Sequence, residues 1–220
     1  MIHFHIITLF PKSIEPYLAS SILGRAQLKN SKPKKGEKAK FKVSFYNPRD
    51  YAKNLKERID RRTYGGGPGM VLAPEPYLRA AAAAAKGKKA EVIFFSPGGV
   101  QFDQVMSQKL SKKKNIIFIA GHYEGVDARV AKILRAKQVS IGPYVLTGGE
   151  LPAAIMIDAI ARYIPGVLGK EESREDERVA SSEVYTRPEV LKWKGKSHRV
   201  PHVLLSGNHA KINEWRKKHS

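Results

Sequence analysis

The sequence predicts an α/β protein built on a parallel sheet, and two features carry that reading. Short, continuous apolar runs at residues 91–95, 115–120 and 138–141 are separated by helical segments at 101–112 and 127–137. This is the strand–loop–helix repeat of a parallel sheet covered on both faces. Each run also passes into glycine and proline: SPGG at 96–99, GHYEGVD at 121–127, and Gly142-Pro143. Such loops leave the C-terminal ends of neighbouring strands, where open α/β sheets bind ligands.

Taken in order, residues 2–10 favour β-branched and aromatic types and read as a first strand. Pro11 and Ser13 then start a helix over 13–29. NSKPKKGEKAK at 30–40 is a polar, basic loop broken by Pro33 and Gly36, and FKVSFY at 41–46 alternates as a strand. YGGGPGM at 64–70 holds four glycines and a proline in seven residues. No regular element tolerates that, so it is a flap or a place where backbone amides approach a ligand. The alanine-rich segment 74–86 is a helix by propensity.

GGELP at 148–152 places two glycines, an acid and a proline at a helix start. From 153 to 164 only Asp158 and Arg162 carry charge. A helix apolar almost all round is buried on more than one side, in a core or between subunits. Asp158 and Arg162 stand four apart and can pair on one face; a buried Arg162 needs a stronger reason to be there. KEESREDER at 170–178 is an acidic linker. Segments 187–193 and 208–217 read as short helical pieces around the basic KWKGKSHR.

The 220 residues, 42% hydrophobic, can bury a sizeable core. With no cysteine, a disulfide framework and a thiolate metal site are excluded, and His198, His202 and His209 lack the spacing of a metal-ligand set. The apolar start MIHFHIITLF is too short to span a bilayer and lacks a basic leader, which predicts a cytoplasmic, non-membrane protein. Forty Lys and Arg against 20 Asp and Glu give a net charge of +20. That points to a nucleic-acid partner, against the competing reading of a lysine-rich solvated surface.

For the ligand of the glycine-rich loops, neither G-x-G-x-x-G in a strand-to-helix turn nor G-x-x-x-x-G-K-[ST] occurs, so a phosphate cradle is unsupported. A ligand with an adenosine end and no phosphates suits them better. S-adenosylmethionine is one, and its sulfonium tolerates a carboxylate such as Glu124.

YGGGPGM at 64–70, GHYEGVD at 121–127, SIGPYVLTGGELP at 140–152, RYIPGVLG at 162–169, YTRPEV at 185–190 and VLLSGNHAKI at 203–212 resemble, in order along nearly the whole chain, the bacterial tRNA (guanine-N1)-methyltransferases. The resemblance implies an α/β fold of SPOUT type, a parallel sheet with a deep C-terminal trefoil knot plus a short helical C-terminal segment. It divides the chain into a knotted methyltransferase domain at 1–169, a flexible acidic linker at 170–186 and a small helical tRNA-binding region at 187–220. It also implies a homodimer with active sites between subunits. S-adenosylmethionine is expected at Ser96, Pro97, Gly121, Glu124, Ile141, Gly142, Pro143, Tyr144, Val145, Leu146, Gly148, Gly149 and Pro152. RNA is expected at Tyr64, Gly65, Gly66, Gly67 and Arg187, and Mg2+ is raised as a second cofactor.

The reaction so implied is methylation of N1 of the guanosine 3′ of the anticodon, tRNA position 37. N1 must lose a proton before it attacks, which calls for a carboxylate base, and negative charge then grows towards O6, which calls for a cation. The family's arginine maps onto Arg162. Its linker aspartate maps onto Glu177 without gaps and onto Asp176 with one deletion; residue type favours Asp176, and both remain candidates. Departures from the family pattern include Arg62-Thr63 before the flap, Gly98, and Pro143 beside the cofactor loops. A basic RNA-binding homodimer with little catalysis and a SPOUT methyltransferase of another RNA are the competing functions.

Overall fold

Residues 1–29, 36–54, 56–168 and 183–219 are described by a computed structural model. Its elements run β1 (Ile2–Ile7), α1 (Glu15–Leu18), α2 (Ser21–Ala26), β2 (Phe41–Tyr46), β3 (Asp60–Arg61), β4 (Val71–Leu72), α3 (Pro74–Ala85), β5 (Glu91–Gln101), α4 (Gln104–Leu110), β6 (Asn115–Ile119), α5 (Ala128–Ile133), β7 (Lys137–Ser140) and α6 (Glu150–Ala161). After these come β8 (Val190–Trp193), β9 (Lys196–Arg199), α7 (His202–Leu205) and α8 (His209–Lys218). The chain divides into two units, Met1–Leu168 and Gly169–Ser220.

In the first unit, β1, β2, β5, β6 and β7 form one sheet in the order β2-β1-β6-β5-β7, with every neighbouring pair parallel. The continuous apolar runs follow from burial on both faces. Ile116 and Phe118 of β6 enter a core with α1, α2, α4 and α6, while Ile117 and Ile119 enter a second core with α3 and α5. Each fully buried aliphatic or aromatic side chain contributes about 1.5–3 kcal/mol over leaving it in water. β5, β6 and β7 are neighbours, so their C-terminal ends, and the loops that follow, share one edge.

Three expectations need correction. SPGG does not follow a finished strand: β5 continues to Gln101, and Ser96–Gly99 bulge out where pairing to β7 slips between Phe95 and Val100. A Cβ on Gly99 would lie 2.6 Å from the Val139 nitrogen, so only glycine lets the bulge return to the neighbouring strand. The helix expected over 13–29 is broken into a 3-10 turn (Pro11–Ser13), α1 and α2, because the chain folds back at Ser21, whose φ is +47°, bringing Gly24 against the Ala19 carbonyl. The buried helix starts at Glu150, with the acid and Pro152 in its first turn as expected, and Arg162 follows its last residue as C-cap.

Within the second unit, residues 187–193 are not helical. β8 and β9 form an antiparallel hairpin closed by Lys194 and Gly195, both at positive φ, the geometry of a tight hairpin turn. α8 is capped by Asn208, which accepts from the Lys211 N–H at 3.2 Å. Trp215 stacks on His219 at 4.1 Å.

Candidate active site

The bulge in β5 and the loops after β6 and β7 enclose a cavity of about 290 Å³. Of the positions expected to hold the cofactor, Ser96, Pro97, Gly121, Glu124, Ile141, Tyr144, Val145, Leu146, Gly148, Gly149 and Pro152 line it. Gly142 and Pro143 do not. Gly142 lies under the Tyr144 ring, where a Cβ would come within 2.2 Å of Cε1, and its carbonyl accepts from the Ser140 hydroxyl at 2.9 Å; Pro143 is exposed. Gly142 therefore shapes the loop that carries the wall.

The cavity's electrostatics oppose those of the chain. Among the described residues that line it none is lysine or arginine, and Glu124 is at its edge. In a protein of net charge +20 this is a deliberate exclusion of cations.

A buried carboxylate joins the loops, and sequence reasoning missed it. Glu150, 5% exposed, accepts from the Thr8 hydroxyl at the end of β1 and lies 2.7 Å from His122 Nε2 in the loop after β6. Its only sequence signal was an acid in a helix first turn, where the helix dipole favours it. Gly148 has to be glycine beside this pair: a Cβ there would be 2.3 Å from His122 Nε2 and 2.5 Å from Glu150 Oε2. A Cβ on Gly149 would meet Ala120 Cα at 2.6 Å. Tyr77, buried below, donates to the Ala120 carbonyl at 3.3 Å, and burial pushes its hydroxyl pKa up.

The flap is pinned to the same loop by backbone bonds. Glu124 N–H donates to the Met70 carbonyl (3.1 Å), Leu72 N–H to Gly125 (3.0 Å) and Asp127 N–H to Leu72 (3.0 Å). Gly65, Gly66 and Gly67 all take positive φ with open space around them, so backbone conformation is what demands glycine there. Tyr64 stands fully exposed beside them.

Arg162 lies elsewhere. It lines a separate cavity of about 210 Å³ with Tyr17, Asp158, Val167 and Leu168 and residues of α2, and this cavity shares no lining residue with the first. The expected Asp158–Arg162 pair is replaced: the Tyr17 hydroxyl donates to Asp158 Oδ2 at 2.5 Å, a bond that pushes the tyrosine pKa up. Among the described residues no ion pair joins Asp158 to Arg162. Asp176 and Glu177 lie outside the described residues. Arg187, in the second unit, is exposed and precedes a cis bond to Pro188. Among the described residues no three His, Asp or Glu side chains gather as a metal-binding group, and no helix is long and apolar enough to cross a membrane.

A parallel α/β sheet carrying a glycine-walled cavity at the C-terminal ends of its strands belongs to the class of open α/β proteins, which bind ligands at those strand ends. The chain matches the family described as tRNA (Guanine-1)-methyltransferase TrmD over residues 2–220, and it belongs to that family of methyltransferase enzymes. Relatives named tRNA (guanine-N(1)-)-methyltransferase include one of Clostridioides difficile, 42% identical over 99% of this chain and 91% of the relative. One of Staphylococcus epidermidis is 45% identical over 96% and 82%, and one of Pseudoalteromonas atlantica 42% identical over 99% and 79%.

Proposed function

We propose that this enzyme transfers a methyl group from S-adenosylmethionine to N1 of the guanosine at tRNA position 37, acting as a cytoplasmic homodimer. The observation that carries the reading is the cavity at the strand ends, with a carboxylate, no lysine or arginine among its described lining, and walls of backbone and apolar side chains. Phosphate-bearing cofactors need cations or helix amides, and a cationic sulfonium needs neither. Its size, about 290 Å³, is at the lower end for a small-molecule site. When bound, S-adenosylmethionine supplies an electrophilic methyl group. The residues that hold it are those that line the cavity, with the bulge at Ser96–Pro97 and the exposed Tyr144, Val145 and Leu146 forming its rim.

The protein's own part is proton and charge management. A linker carboxylate, Asp176 or Glu177, takes the N1 proton of guanine, and the Arg162 guanidinium stabilises the charge that develops on O6. Because Arg162 lines its own cavity in one protomer, the complete site is assembled with a second copy, whose cofactor loops face it. The exposed Leu151 and Ile155 of α6, with half-buried Asp158 and Arg162 towards its C-terminal end and Tyr17 beside them, form the surface for that contact. The sheet and α6 are threaded as the trefoil knot of the SPOUT fold. Mg2+ binds commonly through one or two carboxylates and substrate oxygens, so any such ion is held with the RNA rather than in a protein cage. Tyr64, the flap glycines, Arg187 and the basic second unit meet the tRNA.

The test is transfer of labelled methyl from S-adenosylmethionine to two tRNA transcripts, one with guanosine and one with adenosine at position 37. Label on the guanosine transcript alone is expected; label on both, or on neither, overturns the reading.

A further inference from the structure

At the edge of the sheet opposite the cofactor cavity, three separated segments bring lysines together around one histidine. His3, near the start of β1, pairs in register with Lys42 of β2 on one side and Asn115 of β6 on the other, and its N–H donates to the Lys114 carbonyl at 2.9 Å. Asn115 in turn reaches the Lys89 carbonyl at 3.5 Å, so the turn after α3 closes over the same edge. Lys42, Lys86, Lys88, Lys89, Lys112 and Lys114 are all exposed there. Glu91 lies there too and is held by Lys113 at 3.1 Å.

The fields converge as well as the chain. His3 is driven down to about 4 by burial, by His5, whose tilted ring lies 3.8 Å away, and by the charges of Lys42, Lys86 and Lys88. Lys86, the C-cap of α3, and Lys112, just past the C-cap of α4, have a local reason, since a cation complements a helix's C-terminal end. That reason does not reach Lys42 or Lys114. Like charges gathered this way repel one another unless an anion relieves them, and the strands put about 17 Å between this edge and the cofactor loops, at roughly 3.3 Å per residue. Phe41 and Val43 of β2 enter the core with α6, so Lys42 between them faces away from the helix that Arg162 caps.

We propose that this edge is a second RNA-docking surface, at which Lys42, Lys86, Lys88 and Lys114 hold backbone phosphates of the tRNA remote from the modified base. The proposal rests on the reading of tRNA as substrate. The surface binds by charge and carries no sequence preference, so it adds affinity and salt dependence without choosing the target nucleotide.

The experiment is equilibrium binding of full tRNA by the full-length protein across a salt series, with methyl transfer followed in parallel. K86Q/K88Q/K114Q is expected to make the slope of log affinity against log salt shallower by about 2–3, roughly one per lost phosphate contact. Turnover at saturating tRNA stays unchanged, and K86R/K88R/K114R keeps the original slope. An unchanged slope in the Gln variant overturns the proposal. So does an equal change in K12Q/K53Q/K132Q, which removes the same charge elsewhere, since net charge alone would then be responsible. Binding to anionic phospholipid vesicles that depends on these lysines, with the tRNA slope intact, overturns it in favour of a membrane. Failure of the unsubstituted protein to methylate tRNA counts against the functional reading, whereas normal methylation with an unaltered slope counts against this surface alone.

Discussion

Helix α6 ends in two cavities built in different ways. At its N-terminal end Glu150 is buried and bonded on both oxygens, the flanking glycines are packed to backbone contact, and three loops of one protomer close around the space. At its C-terminal end Arg162 is half-buried, its neighbour Asp158 is bonded to Tyr17 from a distant part of the chain, and the cavity is walled by one short helix and the residues after α6. One end is finished within the chain; the other awaits something. Under the proposed function the difference separates two tasks, holding a small molecule rigidly and receiving the substrate together with a second copy of the chain.

The largest effect that would sharpen this contrast is at the open end. Arg162→Ala is expected to lower kcat by about 10²–10³, the usual loss when a charge-stabilising group is removed. Cofactor affinity, measured by calorimetry, should stay within about twofold; an equal loss in both would merge the two cavities into one function. At the closed end, Gly149→Ala forces a Cβ to within 2.6 Å of Ala120 Cα at an ordinary φ, so the penalty is steric. Overpacking of this kind costs about 1–3 kcal/mol. Cofactor binding should weaken by about tenfold and the melting temperature should fall by several degrees. Gly98→Ala, with open space around its Cβ position, is the control expected to change neither. The smallest effect is Tyr17→Phe, which removes one exposed hydrogen bond: stability by denaturant titration should drop by no more than about 1 kcal/mol. A larger drop would mean that the open end is as tightly determined as the closed one.

Legibility in the sequence followed the same division. The strands β5, β6 and β7 and their glycine-rich loops could be read locally, because burial on both faces writes a continuous apolar run and a close approach writes glycine. Features made by pairs far apart could not. Thr8 and Glu150 are 142 positions apart and Tyr17 and Asp158 are 141 apart, and nothing in either neighbourhood names the other. The bulge in β5 was hidden because proline and glycine signal an ending, and only pairing to β7 reveals that the strand resumes. The β8–β9 hairpin was misread as helix for a related reason. Its cue was the Lys194-Gly195 turn between four-residue strands, too short for periodicity to separate from a helical turn.

The cation-free cavity has a consequence for how the molecule responds to its solution. Fields from exposed lysines fade within about 8–10 Å at ordinary ionic strength and faster as salt rises, while contacts from enclosed backbone and apolar walls hardly notice. Under the proposed function salt acts on the two ligands unequally, and raised ionic strength is expected to shed RNA first and leave a loaded but substrate-free protein, a state from which each binding step can be timed separately.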